Sequence, residues 1–211
     1  SRLLPLEIPL AGETLAQALT DSGVRLHLGE AVTAIEGSGT IHTQKGTVVC
    51  EKIMLAAGRR PNTENLNLAA AGVNLDSRGF VSVDAKLRTT QSHIYAAGDC
   101  ATTQQFTHHA DAQARALIQN ALFFPTAKVS GLAIPHCTYT SPEVASIGPS
   151  LDVLEQTGVA YDRYEFDLTE LDRVKAKPFA SAAKAKAQGG YALVVTKKGT
   201  DEILAATIIG A

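Results

Sequence analysis

The sequence predicts a mixed α/β and α+β architecture, and three observations predict it. Two short runs, Ile53-Met54-Leu55-Ala56-Ala57 and Ile94-Tyr95-Ala96-Ala97, are apolar and lead into glycine, the pattern of strands buried on both faces. Apolar residues recur at helical spacing in two longer stretches. One runs through Leu15, Ala18 and Leu19, the other through Ala110, Ala114, Leu117, Ile118 and Ala121. The last third carries short β-like runs, of which 191–196 and 203–209 read as a hairpin joined through Lys197-Lys198-Gly199-Thr200.

The first helix is expected over 13–22, with Gly23 as its stop. β-like runs follow at 24–28, 31–36, 40–44, 47–50 and 53–57, with Gly37-Ser38-Gly39 and Lys45-Gly46 as turns. Gly58-Arg59-Arg60-Pro61-Asn62 is a sharp break and the first candidate boundary. Residues 64–71 read as a short helix closed by Gly72. Asp76-Ser77-Arg78-Gly79 reads as a turn before a β-like run at 80–83. The long helix is expected to begin near Thr107 and to be stopped by Pro125. Beyond a linker near 126–132 come β runs around 137–140 and 144–148, a helix near 151–157 and a strand at 159–167. Residues 175–188, rich in Ala and Lys, read either as a solvated helix or as a loop.

A chain of 211 residues makes one large domain or two small ones. The net charge is −2 with Lys and Arg spread along the chain, which argues against a nucleic acid or an anionic membrane as partner. No apolar run approaches the roughly 18 residues of a membrane span. No signal-peptide pattern opens the chain, so a cytoplasmic location is expected. Cys50, Cys100 and Cys137 are far apart and form no close pair, which fits a reducing compartment. The chain opens on Ser1 and closes on the apolar run 203–211; a piece of a longer protein is the expectation.

The chemistry concentrates at Gly98-Asp99. A strand that ends in glycine lets a ligand approach the backbone, because no Cβ intervenes. The carboxylate of Asp99 can accept hydrogen bonds from sugar-type hydroxyls. Ligands of α/β folds sit at the carboxyl ends of strands. The helix from Thr107 opens with unpaired backbone N–H groups and a positive dipole end, which can stabilise negative charge. The bland alternative is a strand followed by a common turn pair.

The segment Leu87-Arg88-Thr89-Thr90-Gln91-Ser92-His93-Ile94-Tyr95-Ala96-Ala97-Gly98-Asp99 resembles the second FAD motif of the pyridine nucleotide-disulfide oxidoreductases. Gln105-Phe106-Thr107-His108-His109-Ala110-Asp111-Ala112-Gln113-Ala114-Arg115 resembles that family's helix start facing the flavin ring. Residues 53–62 resemble the crossover from its NAD(P) domain to its FAD domain, and 134–148 the opening of its dimerisation domain. The wording is closest to the mercuric-reductase-like branch, through Phe106-Thr107-His108, Cys137-Thr138-Tyr139-Thr140, Leu171-Asp172-Arg173 and Lys198-Gly199-Thr200-Asp201. Lipoamide dehydrogenase is its near neighbour.

The resemblance implies three parts: the trailing part of an NAD(P)-binding domain over 1–60, the second half of an FAD-binding domain over 61–125, and a dimerisation domain, truncated at its C-terminus, over 133–211. It implies FAD and NAD(P) as cofactors of the intact enzyme, with weak or no binding by this chain, and a homodimer through 133–211. The cofactor-side residues it implies are Gly98, Asp99, Phe106, Thr107, His108, Ala110 and Gly58. The family's redox Cys-x4-Cys pair has no counterpart here. Its first glycine motifs would lie before Ser1 and its His-Glu pair beyond Ala211, so no catalytic residue is assigned. A reductase segment acting on a disulfide or related acceptor is the expected function. The alternative is a stand-alone, non-catalytic dimerising or binding module derived from such a reductase.

Other residues admit competing readings. His108-His109 with Asp111 can be read as a metal cluster, but no third or fourth ligand stands at a typical spacing, and a helix-start role is preferred. No metal site is expected. Cys100 follows Asp99 but reads as a buried small residue, as does Cys137. Tyr139 fits either an interface or a half-buried strand. Arg59 and Arg60 can meet a phosphate or belong to a solvated loop.

Overall fold

A computed structural model describes residues 2–37, 39–172 and 190–210. The chain divides into two compact units, Ser1–Leu55 with Pro135–Ala211, and Ala56–Ile134.

The first unit is built on a five-stranded antiparallel sheet of order β4-β5-β8-β7-β6. Its strands are β4 (His136–Thr138), β5 (Glu143–Ile147), β6 (Tyr161–Asp167), β7 (Tyr191–Lys197) and β8 (Ile203–Gly210). Alternation decides which side is buried. In β7 and β8, Leu193, Val195, Ala205, Thr207 and Ile209 are buried, while Ile203 and Ile208 are exposed. Two helices cover the inner face. Ala11 of α1 (Pro9–Asp21) packs with Val144 and Ile209. Leu154 of α3 (Leu151–Gln156) packs with Leu193, Val195 and Ala205. Ser150 caps α3, its side chain accepting from the Val153 N–H. The expected hairpin is present: β7 pairs with β8 from Tyr191↔Ile209 to Thr196↔Ile203.

The first helix begins four residues earlier than the periodicity predicts, at Pro9 rather than 13. Proline in the first turn is pre-set for a helix, because its missing N–H would be unpaired there anyway. Gly12 disguised this turn in the sequence. It is buried, and a Cβ there would run into the Leu3 carbonyl. Just before α1, the nearly buried Glu7 reaches the sheet. Its carboxylate lies 2.6 Å from His136 Nε2 and accepts from Ser146 Oγ at 2.6 Å.

The same unit holds a three-stranded meander, β1 (Val32–Glu36), β2 (Thr40–Thr43) and β3 (Thr47–Val49), in order β1-β2-β3. Its residues are exposed or half-buried. Two expected β runs do not form. Residues 24–28 are irregular and lead into a turn, and 53–57 are irregular and exposed, with Met54 88% accessible. An all-apolar strand needs partners on both edges and cover on both faces. Among the described residues, 53–57 has neither.

In the second unit the order comes from turns around one long helix, α2 (Thr107–Leu122). Residues 64–71 form turns, not the expected helix. Asn65 and Asn67 sit at positive φ, a conformation Asn tolerates and a helix interior does not. The β-like runs at 80–83 and 94–97 reduce to the single bridges Leu75↔Val81 and Arg88↔Tyr95. Residues 94–97 are half-buried rather than fully buried. Aspartates hold the turns. Asp76 accepts the N–H groups of Arg78 and Phe80, and Asp84 those of Lys86 and Arg88 together with the Arg88 guanidinium. The buried Asn120 of α2 donates to the carbonyls of Lys86 and Ala127 and accepts from the Ala127 N–H, tying the 126–132 linker to the helix. The Ala/Lys-rich segment 175–188 lies outside the described residues.

Candidate functional site

Gly98, Asp99 and Cys100 form a 3-10 turn that leaves the extended run 94–97. Gly98 has φ +78°, a left-handed conformation that glycine adopts at little cost. A Cβ there would lie 3.3 Å from Ala110 Cβ, so the turn packs closely on the first turn of α2. Ala110 is small enough to allow this. Its own N–H bonds the Phe106 carbonyl at 3.0 Å, closing the first helical turn.

Asp99 is exposed, and its carboxylate takes no hydrogen bond or ion pair among the described residues. Its backbone is held instead: Gln105 Nε2 donates to the Asp99 carbonyl at 3.3 Å. An acceptor-only group is thus carried on a fixed backbone beside the start of α2. That start, at Thr107, has no side-chain cap, and its N-cap residue Phe106 is extended. Thr107 and His108 are exposed, and His108 stacks on Phe106 with ring centroids 5.5 Å apart. The chemistry available is anion or polyol recognition: a free carboxylate accepts hydroxyls, and a helix N-terminus favours negative charge.

Gly58 stands apart from this cluster in kind. It has φ +106° and open space where a Cβ would stand. Its neighbour Arg59 makes the connection, Nη1 donating to the Gln105 carbonyl at 2.9 Å. Arg59 is therefore the residue of that loop tied to the candidate site.

The three groups of the suspected metal cluster point to different partners. His109 is 4% exposed and its Nδ1 lies 3.0 Å from the Gln104 carbonyl. Asp111 pairs with Arg115 at 2.9 Å, which holds its carboxyl below the usual range. Among the described residues, no group of three or more His, Cys, Asp or Glu could hold a metal ion. Cys100 is half-buried, its thiol 3.4 Å from the Ala97 carbonyl. Cys137 is half-buried on β4 rather than in the core, and desolvation, aided by Glu143, pushes its thiol up. Tyr139 is exposed.

The sequence assigns no supporting role to Gln113, and reads His109 only as a metal-cluster or helix-start residue. Gln113 is 3% exposed. Its Oε1 accepts the Gly98 N–H at 2.6 Å, and its Nε2 lies 3.1 Å from His109 Nε2. The signal is a polar pair four residues apart on the buried side of α2, where buried polar side chains need partners.

The turn and the helix start pack together as one local element. Comparison with known proteins supplies the family. The family model described as pyridine nucleotide-disulphide oxidoreductase matches residues 1–114, and the model of that family's dimerisation domain matches 134–211. The chain belongs to the pyridine nucleotide-disulphide oxidoreductase family. It is 31% identical to a mercuric reductase of Bacillus cereus, over 98% of this chain and 35% of the relative. It is 32% identical to a dihydrolipoyl dehydrogenase of Chlamydia muridarum, over 99% and 44%. Among solved structures it resembles an HOCl-induced flavoprotein disulfide reductase of Escherichia coli, with TM-score 0.84 at 21% identity, over all of this chain and 47% of the other. LpdA of Mycobacterium tuberculosis gives 0.82 at 24%, over 98% and 44%. The chain therefore spans between about a third and a half of the length of these relatives. No helix among the described residues is long and apolar enough to cross a membrane.

Proposed function

We propose that this chain is a segment of an FAD-dependent NAD(P)H oxidoreductase that acts on a disulfide or a related acceptor, and that Gly98, Asp99 and the start of α2 form half of its flavin site. The observation that carries the reading is the exposed Asp99, its carboxylate unpartnered among the described residues, held beside a helix start that has no side-chain cap. Asp99 would accept hydrogen bonds from the flavin's ribityl hydroxyls. The backbone of Phe106, Thr107, His108 and Ala110 would face the flavin ring, and the dipole of α2 would favour negative charge on it. When bound, the flavin supplies a two-electron relay between a nicotinamide and a thiol pair. Gly58 would allow the chain to turn close to the cofactor, with Arg59 fixing that loop to Gln105.

The same reading takes 1–60 as the trailing part of an NAD(P) domain, 61–125 as the second half of an FAD domain and 133–211 as the dimerisation domain. The outward face of the five-stranded sheet supports self-association. Cys137, Ala145, Ile208, Ala192 and Phe166 stand opposite one another across all five strands. Ile208 and Phe166 are exposed, and a row of apolar side chains in water is the expected surface of a homodimer contact. The acceptor follows either the mercuric reductase or the dihydrolipoyl dehydrogenase pattern. The near-equal identities support both, and the mercuric-reductase-like phrases favour the first.

FAD titration into the purified chain, followed by quenching of flavin fluorescence, tests the site. A half-site should give weak, saturable binding, with Kd on the order of 1 mM. Asp99→Ala should remove it. Protein that purifies yellow with stoichiometric flavin would contradict a half-site, and equal binding by Asp99→Ala would contradict the role of Asp99.

A further inference from the structure

Behind the Gly98–Asp99 turn lies a chain of buried polar groups that the flavin reading does not use. The Gly98 N–H donates to Gln113 Oε1, Gln113 Nε2 meets His109 Nε2, and His109 Nδ1 meets the Gln104 carbonyl. Donor–acceptor parity fixes every proton in it. A carbonyl can only accept, so His109 Nδ1 carries the hydrogen. His109 Nε2 must then be the acceptor, and it receives a hydrogen from the Gln113 amide nitrogen. That leaves Gln113 Oε1 facing Gly98, where an N–H needs an acceptor. The amide orientation and the imidazole tautomer therefore determine each other. Both side chains are almost fully buried, so a mismatch has no water to relieve it.

We propose that Gln113 and His109 are positioning residues that hold the Gly98–Asp99 turn in its ligand-accepting form, and that they do so only while His109 is neutral with its proton on Nδ1. The ligand part of this rests on the flavin reading above; the network does not. Protonation would put a second donor on His109 Nε2, opposite the Gln113 NH2. The amide must then rotate, presenting its NH2 to the Gly98 N–H and leaving that donor without an acceptor. The turn is thereby released when the histidine is charged. Asp99 stands on the turn itself. Among the described residues of the turn and α2, Cys100 meets the Ala97 carbonyl, His108 stacks on Phe106, Asp111 and Arg115 pair with each other, and Arg59 binds the Gln105 carbonyl.

The test is nuclear magnetic resonance on the full chain labelled with nitrogen-15. The neutral His109 should show a protonated Nδ1 and an unprotonated Nε2. The Gly98 amide should be protected from exchange. Gln113→Leu should speed Gly98 exchange on the order of tenfold, with amides in the middle of α2 unchanged as the fold control. Gln113→Glu offers an acceptor on both sides. It should keep Gly98 protected where Gln113→Leu does not, an effect that a merely space-filling residue would not have. The His109 tautomer in the parent chain is a readout that needs no variant to fold. A neutral His109 with its proton on Nε2, or unchanged Gly98 exchange in Gln113→Leu, overturns the network. FAD titration separates the two claims. Saturating FAD shifts that cluster elsewhere, with the network intact, remove the flavin reading alone. Unchanged FAD affinity in Gln113→Leu, once Gly98 is released, removes the positioning role.

Discussion

The hairpin β7–β8 and the run 53–57 are both strongly apolar in sequence, yet only the hairpin becomes strands. Tyr191–Lys197 and Ile203–Gly210 pair with each other and lie between β5 and β6, and α1 and α3 cover their inner face. Residues 53–57 have no ladder partner among the described residues and stay exposed. An apolar run states a demand for burial. Whether it becomes a strand depends on partners from elsewhere in the chain, which local sequence does not carry. The 94–97 run falls between the two: one bridge and half burial, with its value concentrated in the turn that follows.

Substitution tests this contrast with the largest expected effect. Leu193→Ala or Ile209→Ala removes a side chain at most 2% exposed and should cost about 2–5 kcal/mol in urea unfolding. Met54→Ala should stay within about 0.5 kcal/mol. Equal losses at Met54 and Leu193 would mean that 53–57 is packed after all. The next effect concerns the two faces of the same sheet. Ile208→Lys places a charge on the outward row without touching the core. Sedimentation equilibrium should show self-association weakened on the order of tenfold or more, with the unfolding midpoint nearly unchanged. Undiminished association of the Ile208→Lys variant would move the contact elsewhere.

The smallest effect concerns the sheet's exposed edge. The Gly199 N–H and Lys198 hold the Asp162 carboxyl below its usual range. A depressed folded-state value means the contribution is present above the unfolded value and lost as pH falls through the folded one. Asp162 should therefore titrate below an ordinary aspartate in an NMR pH series. Lys198→Ala should raise its midpoint only part of the way, because the Gly199 hydrogen bond is the larger cause. A midpoint that returns fully to the ordinary value would reverse that order.

Legibility followed the range of the interactions. The start of α2 at Thr107, the β7–β8 hairpin and the Ser150-capped helix rest on periodicity and turn chemistry within a few residues, and all could be read from sequence. The expected helix at 64–71 fails locally, because Asn65 and Asn67 take left-handed conformations that a helix interior excludes. The candidate site was legible in its local elements, the Gly98-Asp99 turn and the Thr107 helix start, but not in the hydrogen bonds that support them. Gln113 and His109 act through a hydrogen bond that spans 15 residues, and Arg59 through one that spans 46. No spacing rule announces such pairs. A polar residue on a buried helix face is the only hint they leave.

The central claim, that Gly98–Asp99 and the start of α2 are one half of a flavin site, is tested most directly by mapping FAD onto the full chain with amide chemical shifts. Shifts confined to Gly98, Asp99 and the amides of 106–110, saturating together and lost in Asp99→Ala, are the predicted result. Saturating shifts that cluster elsewhere, or shifts at these amides that persist in Asp99→Ala, would contradict it.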